Sequence, residues 1–184
     1  MRRRLSLHPH SHSLAATQIE VEIACARPDR LMLSYTLTGK ISDILMPPVT
    51  EPARGEELWR HTCFEAFVRA SSSAEYYEFN FAPSTQWAAY RFTTYRTGMR
   101  VAAEITAIQI EMQSKPDSCT LEAWLDLDRL SGIPRSALWR LGLSAVIEDT
   151  SGGKSYWALA HPPGKPDFHH TDCFGLEFSS SGRT

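Results

Sequence analysis

The chain has 184 residues, of which 42% are hydrophobic and 22% are charged, and its formal net charge is −2. This length and balance predict one globular domain, and the weak negative charge disfavours nucleic acid or an anionic membrane as a partner. No apolar run reaches the roughly 18 residues that a membrane-spanning helix needs, and the basic residues at 1–5 are not followed by the apolar segment of a signal peptide. We therefore expect a cytoplasmic protein with no membrane contact. The four cysteines are widely separated and are expected to be buried thiols.

The predicted elements begin after a polar, histidine-rich lead at residues 1–16. Strict alternation of apolar and polar residues predicts a hairpin of two strands over 18–25 and 31–37. A proline-rich stretch at 40–57 is expected to lie outside the sheets. Further strands are predicted at 62–70, 75–82, 86–93, 102–113, 119–127, 139–148, 156–161 and 174–178, with one short helical turn at 128–132. The tail at 179–184 is expected to fray.

This series of about ten short strands, with almost no helical pattern and no repeat, predicts an all-β fold. We predict a single antiparallel β-sandwich over residues 17–178, with a jelly-roll-like arrangement. A closed barrel is the architectural alternative. Nothing in the spacing predicts a second domain.

Two carboxylates and an amide lie among aromatic residues in the central strands. Alternation places Glu78 and Asn80 on one face of their strand, and Glu65 on the face of its strand opposite Phe64. Carboxylates and amides bind sugar hydroxyls, and aromatic rings pack against the apolar face of a pyranose. The candidate ring platforms are Trp59, Trp87, Tyr90 and Trp157. The alternative interpretation is that the rings belong to the core and that the acids are solvated sheet positions.

A second polar cluster lies late in the chain, where His161, Asp167, His169 and His170 include ligand types suited to zinc. Adjacent histidines tend to point apart, so the alternative is a loop stiffened by prolines whose polar groups bind the end of the sheet, and we predict no metal. Phosphate-loop and nucleophile-elbow motifs are absent from the sequence. We predict a protein that is not an enzyme, although a glycosidase pair of Glu65 and Glu78 stays open.

Several segments together resemble the bacterial DOMON-like proteins. They are LWRHTCFEAF at 58–67, YEFNFAPS at 77–84, QWAAYRF at 86–92, YRTGM at 95–99 and WALAHPPGKPDFH at 157–169. The resemblance covers nearly the whole chain and extends to a module found beside a cell-wall precursor reductase. It implies a β-sandwich that binds sugar or haem and is related to the family-nine carbohydrate-binding modules.

The resemblance also implies roles for single residues. Trp59 and Glu65 match a tryptophan and a glutamate that contact the sugar in those modules, and Trp157 matches the second ring of an aromatic clamp. Glu78 and Asn80 match a polar pair on the following strand, although Glu78 stands where a basic residue is expected.

The haem-binding branch of the family uses a methionine and a histidine as axial ligands, for which Met46 or Met99 with His161 are the candidates. Those domains are usually exported, so we expect no cofactor and keep haem as the weaker possibility. The prediction is a non-catalytic protein that binds a small carbohydrate-like molecule. Haem or metal binding, or docking of an unknown protein partner, are the alternatives. The predicted ligand-binding residues are Trp59, Glu65, Glu78, Asn80, Trp157, Trp87, Tyr90 and His161.

Overall fold

Twelve strands make up about half of the chain in the computed structural model, which describes residues 1–27, 29–134 and 136–178. The strands are β1 Arg2–Leu7, β2 Ala16–Arg27, β3 Arg30–Gly39, β4 Cys63–Ala70, β5 Tyr76–Phe81, β6 Trp87–Phe92, β7 Arg100–Val101, β8 Gln109–Ser114, β9 Ser118–Asp126, β10 Trp139–Glu148, β11 Lys154–Ala158 and β12 Leu176–Phe178. All pairs of neighbouring strands are antiparallel. The tail predicted to fray, at 179–184, lies outside the described residues.

The strands form two sheets that share β1. Sheet A has the order β8-β9-β3-β2-β1, and sheet B has the order β7-β6-β5-β4-β10-β11, with β12 paired to the start of β10. The first part of β1 pairs with β2, and its last residues, Ser6 and Leu7, pair with β11 in sheet B. Because β7 and β8 lie at the two ends of the strand order and do not pair with each other, the strands of the described residues do not close into a barrel. The predicted all-β sandwich is confirmed.

The core lies between the two sheets. On β4 and β5 the inward side chains are Phe64, Ala66, Val68, Tyr77, Phe79 and Phe81, as the alternation predicts. From sheet A, the buried Tyr35 reaches across the core, where its hydroxyl donates a hydrogen bond of 2.7 Å to the backbone carbonyl of Glu65. This bond links sheet A directly to the backbone of the strand that carries Glu65.

Two local predictions differ from the structure. The stretch expected as a polar lead contains β1, whose pattern is hidden because Leu5 is the one buried residue between arginines and a serine. Only the second half of the strand expected at 102–113 forms, as β8, and the irregular segment between β7 and β8 buries Ile105 and Ile108. Arg54 satisfies carbonyls there, donating to Ala102 and Ile105.

The predicted helical turn is a 3-10 turn at Leu127–Arg129, and three more such turns occur at Ile41–Asp43, Leu58–Arg60 and Thr171–Cys173. The proline-rich stretch at 40–57 lies outside the named strands, as predicted. None of the helices in the described part of the chain has the length and apolar character to cross a membrane.

Candidate functional site

A cavity lies on the outer face of sheet B, the face turned away from sheet A. This face carries its own apolar cluster, and the loop at 159–175 folds over it and contributes Phe168 and Phe174 to that cluster. The cavity between face and loops has a volume of about 370 Å³, within the range of small-molecule sites. We call it the sheet-B cavity. It is lined by Trp59, Glu65, Glu78, Phe92, Arg96, Met99, Val146, Tyr156, Pro166, Phe168 and His169.

Two buried carboxylates form the floor of the sheet-B cavity. Glu65 on β4 is 3% exposed and Glu78 on β5 is 5% exposed. The hydroxyl of Ser144 donates to Glu65 Oε2 at 3.1 Å, and the amide of Asn80 donates to Glu78 Oε1 at 2.8 Å. Among the described residues, Glu65 Oε1 and Glu78 Oε2 have no hydrogen-bond partner. Each acid is therefore held by one neutral donor and keeps one oxygen for a ligand.

The environment of the two acids opposes their ionisation. Burial and the repulsion from Glu78 raise the pKa of Glu65, while the Ser144 bond and the charge of Arg96 partly offset the rise. Burial also raises the pKa of Glu78, against the effects of the Asn80 bond and the charge of Arg96. Two like charges in one apolar site cannot both form freely, so the pair resists losing its second proton.

His169 lies at one wall of the cavity, where it is buried and forms a hydrogen bond with Tyr76. The hydroxyl of Tyr76 accepts the backbone amide of Arg96 at 3.2 Å and lies 2.8 Å from His169 Nδ1. Burial and the charge of Arg96 lower the pKa of His169 to about 4, so the imidazole is neutral near pH 7. In the tautomer whose Nδ1 accepts the Tyr76 hydrogen, the imidazole carries its own hydrogen on Nε2, which lies 3.6 Å from Glu78 Oε2. His169 therefore presents a neutral donor to the cavity.

Arg96 brings a positive charge to the cavity rim, but a carboxylate outside the cavity already binds it. Its Nη2 lies 2.8 Å from Asp167 Oδ1, and its Nε lies 3.3 Å from the same oxygen. Asp167 also accepts hydrogen bonds from the hydroxyl of Tyr95 and the backbone amide of His169. Arg96 adopts a left-handed backbone with φ of 52°. Asp167 thus ties the loop after β6 to the loop that covers the cavity.

Five of the eight residues predicted from the sequence lie together in or beneath the cavity. Trp59, Glu65 and Glu78 line it. Asn80 is fully buried and positions Glu78 from below. Tyr90 packs against the indole of Trp59 edge to face, with ring centroids 5.8 Å apart, and so supports a wall of the cavity without lining it.

The structure places the other three residues elsewhere. Trp87 pairs with Phe81 and Trp157 pairs with Ala145, which are core positions, so both indoles point towards sheet A. The expected clamp of Trp59 with Trp157 is therefore corrected, and Tyr156 and Phe168 supply rings on the cavity side. His161 is remote from the cavity lining as well, because its Nε2 donates to the carbonyl of Ser6 at 2.8 Å.

The candidate haem ligands named from the sequence do not lie together in the structure. Met99 lines the cavity, but the proposed partner His161 does not, and Met46 packs against the core between the sheets. In residues 1–27, 29–134 and 136–178, no group of three or more histidine, cysteine, aspartate or glutamate side chains is arranged to hold a metal ion. Neither Met46 nor Met99 therefore shares a site with His161.

The sequence interpretation missed the residues that loops contribute. Arg96 and Phe168 lie in segments quoted for the family resemblance, and His169 was considered only as a metal ligand. Alternation does place Tyr156 on the face opposite Trp157, so this residue could have been found. The loop residues carry no such signal, because their position depends on how the loop at 159–175 folds over sheet B.

Comparison with known proteins supports the fold and leaves the family open. No protein-family model matches the chain. No curated protein matches it either. A Bacteroides uniformis protein described as a "putative carbohydrate-binding protein" superimposes with a TM-score of 0.65 at 13% identity, over 86% of this chain and 76% of that chain. The chain has the sandwich fold of that protein.

Two further solved structures show a family-nine carbohydrate-binding module from Caldicellulosiruptor kristjanssonii. The complex with glucose has a TM-score of 0.47 at 13% identity and covers 80% of this chain and 69% of the module. The complex with cellotriose has a TM-score of 0.47 at 12% identity and covers 80% of this chain and 67% of the module. The relation to the DOMON-like proteins and to the reductase-linked module stays a prediction.

Proposed function

We propose that this chain binds a small carbohydrate-like molecule in the sheet-B cavity without converting it. The observation that carries the proposal is the pair Glu65 and Glu78, each at least nine-tenths buried, with a free oxygen facing a cavity walled by rings. Burying a carboxylate is costly unless its oxygens find donors. Sugar hydroxyls are such donors, and they would complete what Ser144 and Asn80 leave open.

The walls of the cavity suit the apolar C–H face of a sugar ring. Trp59, Phe92, Tyr156 and Phe168 offer apolar surface, and the C–H groups of a pyranose pack on aromatic rings. Neutral His169 adds a donor for a hydroxyl oxygen. The name given to the Bacteroides uniformis protein with the same fold agrees with this chemistry.

The position of the two acids supports binding without catalysis. Glu65 and Glu78 rise from adjacent strands on one face of sheet B, so both lie beneath a ligand in the cavity. A glycosidase instead places its two carboxylates on either side of the bond that it cleaves. Incubation of the protein with aryl glycosides is expected to release no phenol, and sustained release would contradict this part of the proposal.

Calorimetric titration with a panel of neutral and amino monosaccharides tests the function. We expect at least one sugar to bind, and Glu65→Ala to abolish that binding because the hydroxyl acceptor is gone. The matched control is Glu111→Gln, which changes an exposed carboxylate on β8 of sheet A and should leave binding unchanged. Failure of every sugar to bind the wild type, or equal binding by Glu65→Ala, would contradict the proposal.

Fluorescence gives an independent readout at the cavity wall. Trp59 lines the cavity and is half-buried, whereas Trp87, Trp139 and Trp157 are buried in the core. A sugar stacking on Trp59 should change the indole emission, and Trp59→Phe should lose that change. A signal that persists in Trp59→Phe would move the site away from this wall.

A further inference from the structure

Among the described residues, the lining of the sheet-B cavity contains two acids and one permanently charged cation, Arg96. Arg96 is bound by Asp167, and His169 is neutral near pH 7. Among the described residues, no lysine or arginine side chain forms an ion pair with Glu65 or Glu78. A buried carboxylate that lacks a counter-charge is unfavourable unless it takes up a proton or meets a positive group. A neutral sugar would leave the ionised form of these acids without a counter-charge, whereas an ammonium group would supply one.

The surroundings of the acids also favour a cation. The rings of Trp59, Phe92, Tyr156 and Phe168 line the same cavity, and aromatic faces attract ammonium groups. The free oxygens Glu65 Oε1 and Glu78 Oε2 come from neighbouring strands, and carboxylates make strong, short hydrogen bonds to N–H donors that carry charge. Rings and acids together form the set of groups that recognises an amine.

We propose that the ligand of the sheet-B cavity carries a protonated amine, as an amino sugar does, and that the ammonium group lies between Glu65 and Glu78. This inference rests on the proposed function, because it names the ligand class of the same site.

Binding of such a ligand should depend on pH. Burial holds protons on Glu65 and Glu78 to higher pH than usual, so an incoming ammonium group would displace a proton into solvent. Affinity for the amine should rise with pH as the acids ionise, and fall again when the ligand loses its own proton. The other titratable groups facing the acids are Tyr35 and Cys63 from below, Tyr76, Tyr90 and His169 beside them, and Arg96 with Asp167 at the rim.

Matched sugars provide the test. Glucosamine, galactosamine and mannosamine are titrated into the full chain beside glucose, galactose, mannose and N-acetylglucosamine, from about pH 5 to about pH 9. We expect one amino sugar to bind about tenfold or more tightly than its neutral parent near pH 7. A hydrogen bond to a charged group contributes about 1 kcal/mol more than a bond between neutral groups, which corresponds to roughly that ratio of affinities. Acetylation, which keeps the ring and removes the charge, should abolish the advantage. Repeating the titration in buffers of different ionisation heat should reveal proton release.

A charge-only variant separates the two proposals. Glu65→Gln keeps a hydrogen-bond acceptor and removes the charge, so it should lower the affinity for the amino sugar about tenfold and leave that for the neutral parent within a few-fold. A thermal melt confirms that the variant is folded. Equal affinity for parent and amino sugar at all pH values would overturn the amine inference and leave the carbohydrate function standing. Failure of all sugars would overturn both. Ethanolamine binding as tightly as the amino sugar would keep the ammonium site and overturn the carbohydrate function.

Discussion

The two faces of β4 and β5 differ completely although they belong to the same strands. The inner face carries Phe64, Phe79 and similar apolar side chains, sealed by sheet A. The outer face places Glu65 and Glu78 at alternate positions and is covered by a loop that leaves a cavity. Burial is nearly complete on both sides. The degree of burial therefore does not distinguish the core from the candidate ligand site, whereas the chemistry of the buried side chains does.

The two faces contribute to stability with opposite signs. Each fully buried aromatic or aliphatic side chain of the inner face contributes about 1.5–3 kcal/mol. Each buried acid of the outer face costs free energy that one hydrogen bond only partly offsets. The buried acids of the outer face therefore lower the stability of the fold while they leave oxygens available to a ligand, a common relation between stability and function.

The largest difference between the faces should appear on truncation of a phenylalanine. Phe79→Ala on the inner face should lower the free energy of unfolding by about 3–5 kcal/mol, because it leaves a cavity in the sealed core. Phe168→Ala, in the loop that covers the outer face, should cost clearly less because that loop borders an existing cavity. Urea unfolding of both variants measures the two values, and equal losses would contradict the distinction.

Removing the charge of Glu65 should raise the free energy of unfolding, in contrast to Phe79→Ala, which should lower it. Because the pKa of Glu65 is raised in the folded state, that state binds the proton more tightly than the unfolded chain does. The wild type should therefore lose stability as pH rises from about 4.3, the ordinary glutamate value, through the raised value. Glu65→Gln should flatten this dependence and raise the free energy of unfolding at pH 8 by about 1–3 kcal/mol. Urea unfolding from acid to mildly alkaline pH measures it, and a variant that follows the wild-type curve would contradict the assignment.

Removal of the hydrogen bond between Tyr35 of sheet A and β4 of sheet B should have a smaller effect on stability. Tyr35→Phe removes the hydroxyl that donates to the Glu65 carbonyl and should lower the free energy of unfolding by about 1 kcal/mol. Tyr156→Phe is the matched control, because its hydroxyl has no hydrogen-bond partner among the described residues. Thermal melts of both proteins make the comparison, and indistinguishable melts would mean that the bond adds nothing.

The smallest change in stability is expected at the rim of the cavity. Asp167→Asn weakens a partly exposed ion pair with Arg96, which should cost no more than about 1 kcal/mol. The released guanidinium should then compete with an amine for the acids and lower amino-sugar affinity several-fold, with little change for neutral sugars. Asp172→Asn, at an exposed position of the same loop, is the control for titration. An unchanged amino-sugar affinity in Asp167→Asn would contradict the role of Asp167.

The alternation of side chains along the strands determines which residues of the fold and the candidate site could be placed from the sequence. It places Glu65, Glu78 and Tyr90 on the outer face and the phenylalanines of β5 on the inner face. The same rule assigns Trp87 and Trp157 to the core, so the prediction that they contact a ligand came from their type and from the resemblance rather than from their position. The loop residues Arg96 and His169 could not be located, because no periodicity relates a loop to the sheet that it covers. β1 escaped notice because one buried leucine among arginines makes no pattern.

Mapping of amide chemical shifts during a sugar titration tests the central claim most directly, since it reads both faces in one experiment. We predict that the shifts change at Glu65, Glu78, Val146 and His169 around the sheet-B cavity, and remain unchanged at Val21 and Leu33 in sheet A. Changes centred on sheet A, or no change at the cavity with a sugar that binds, would contradict the assignment of the outer face of sheet B as the ligand site.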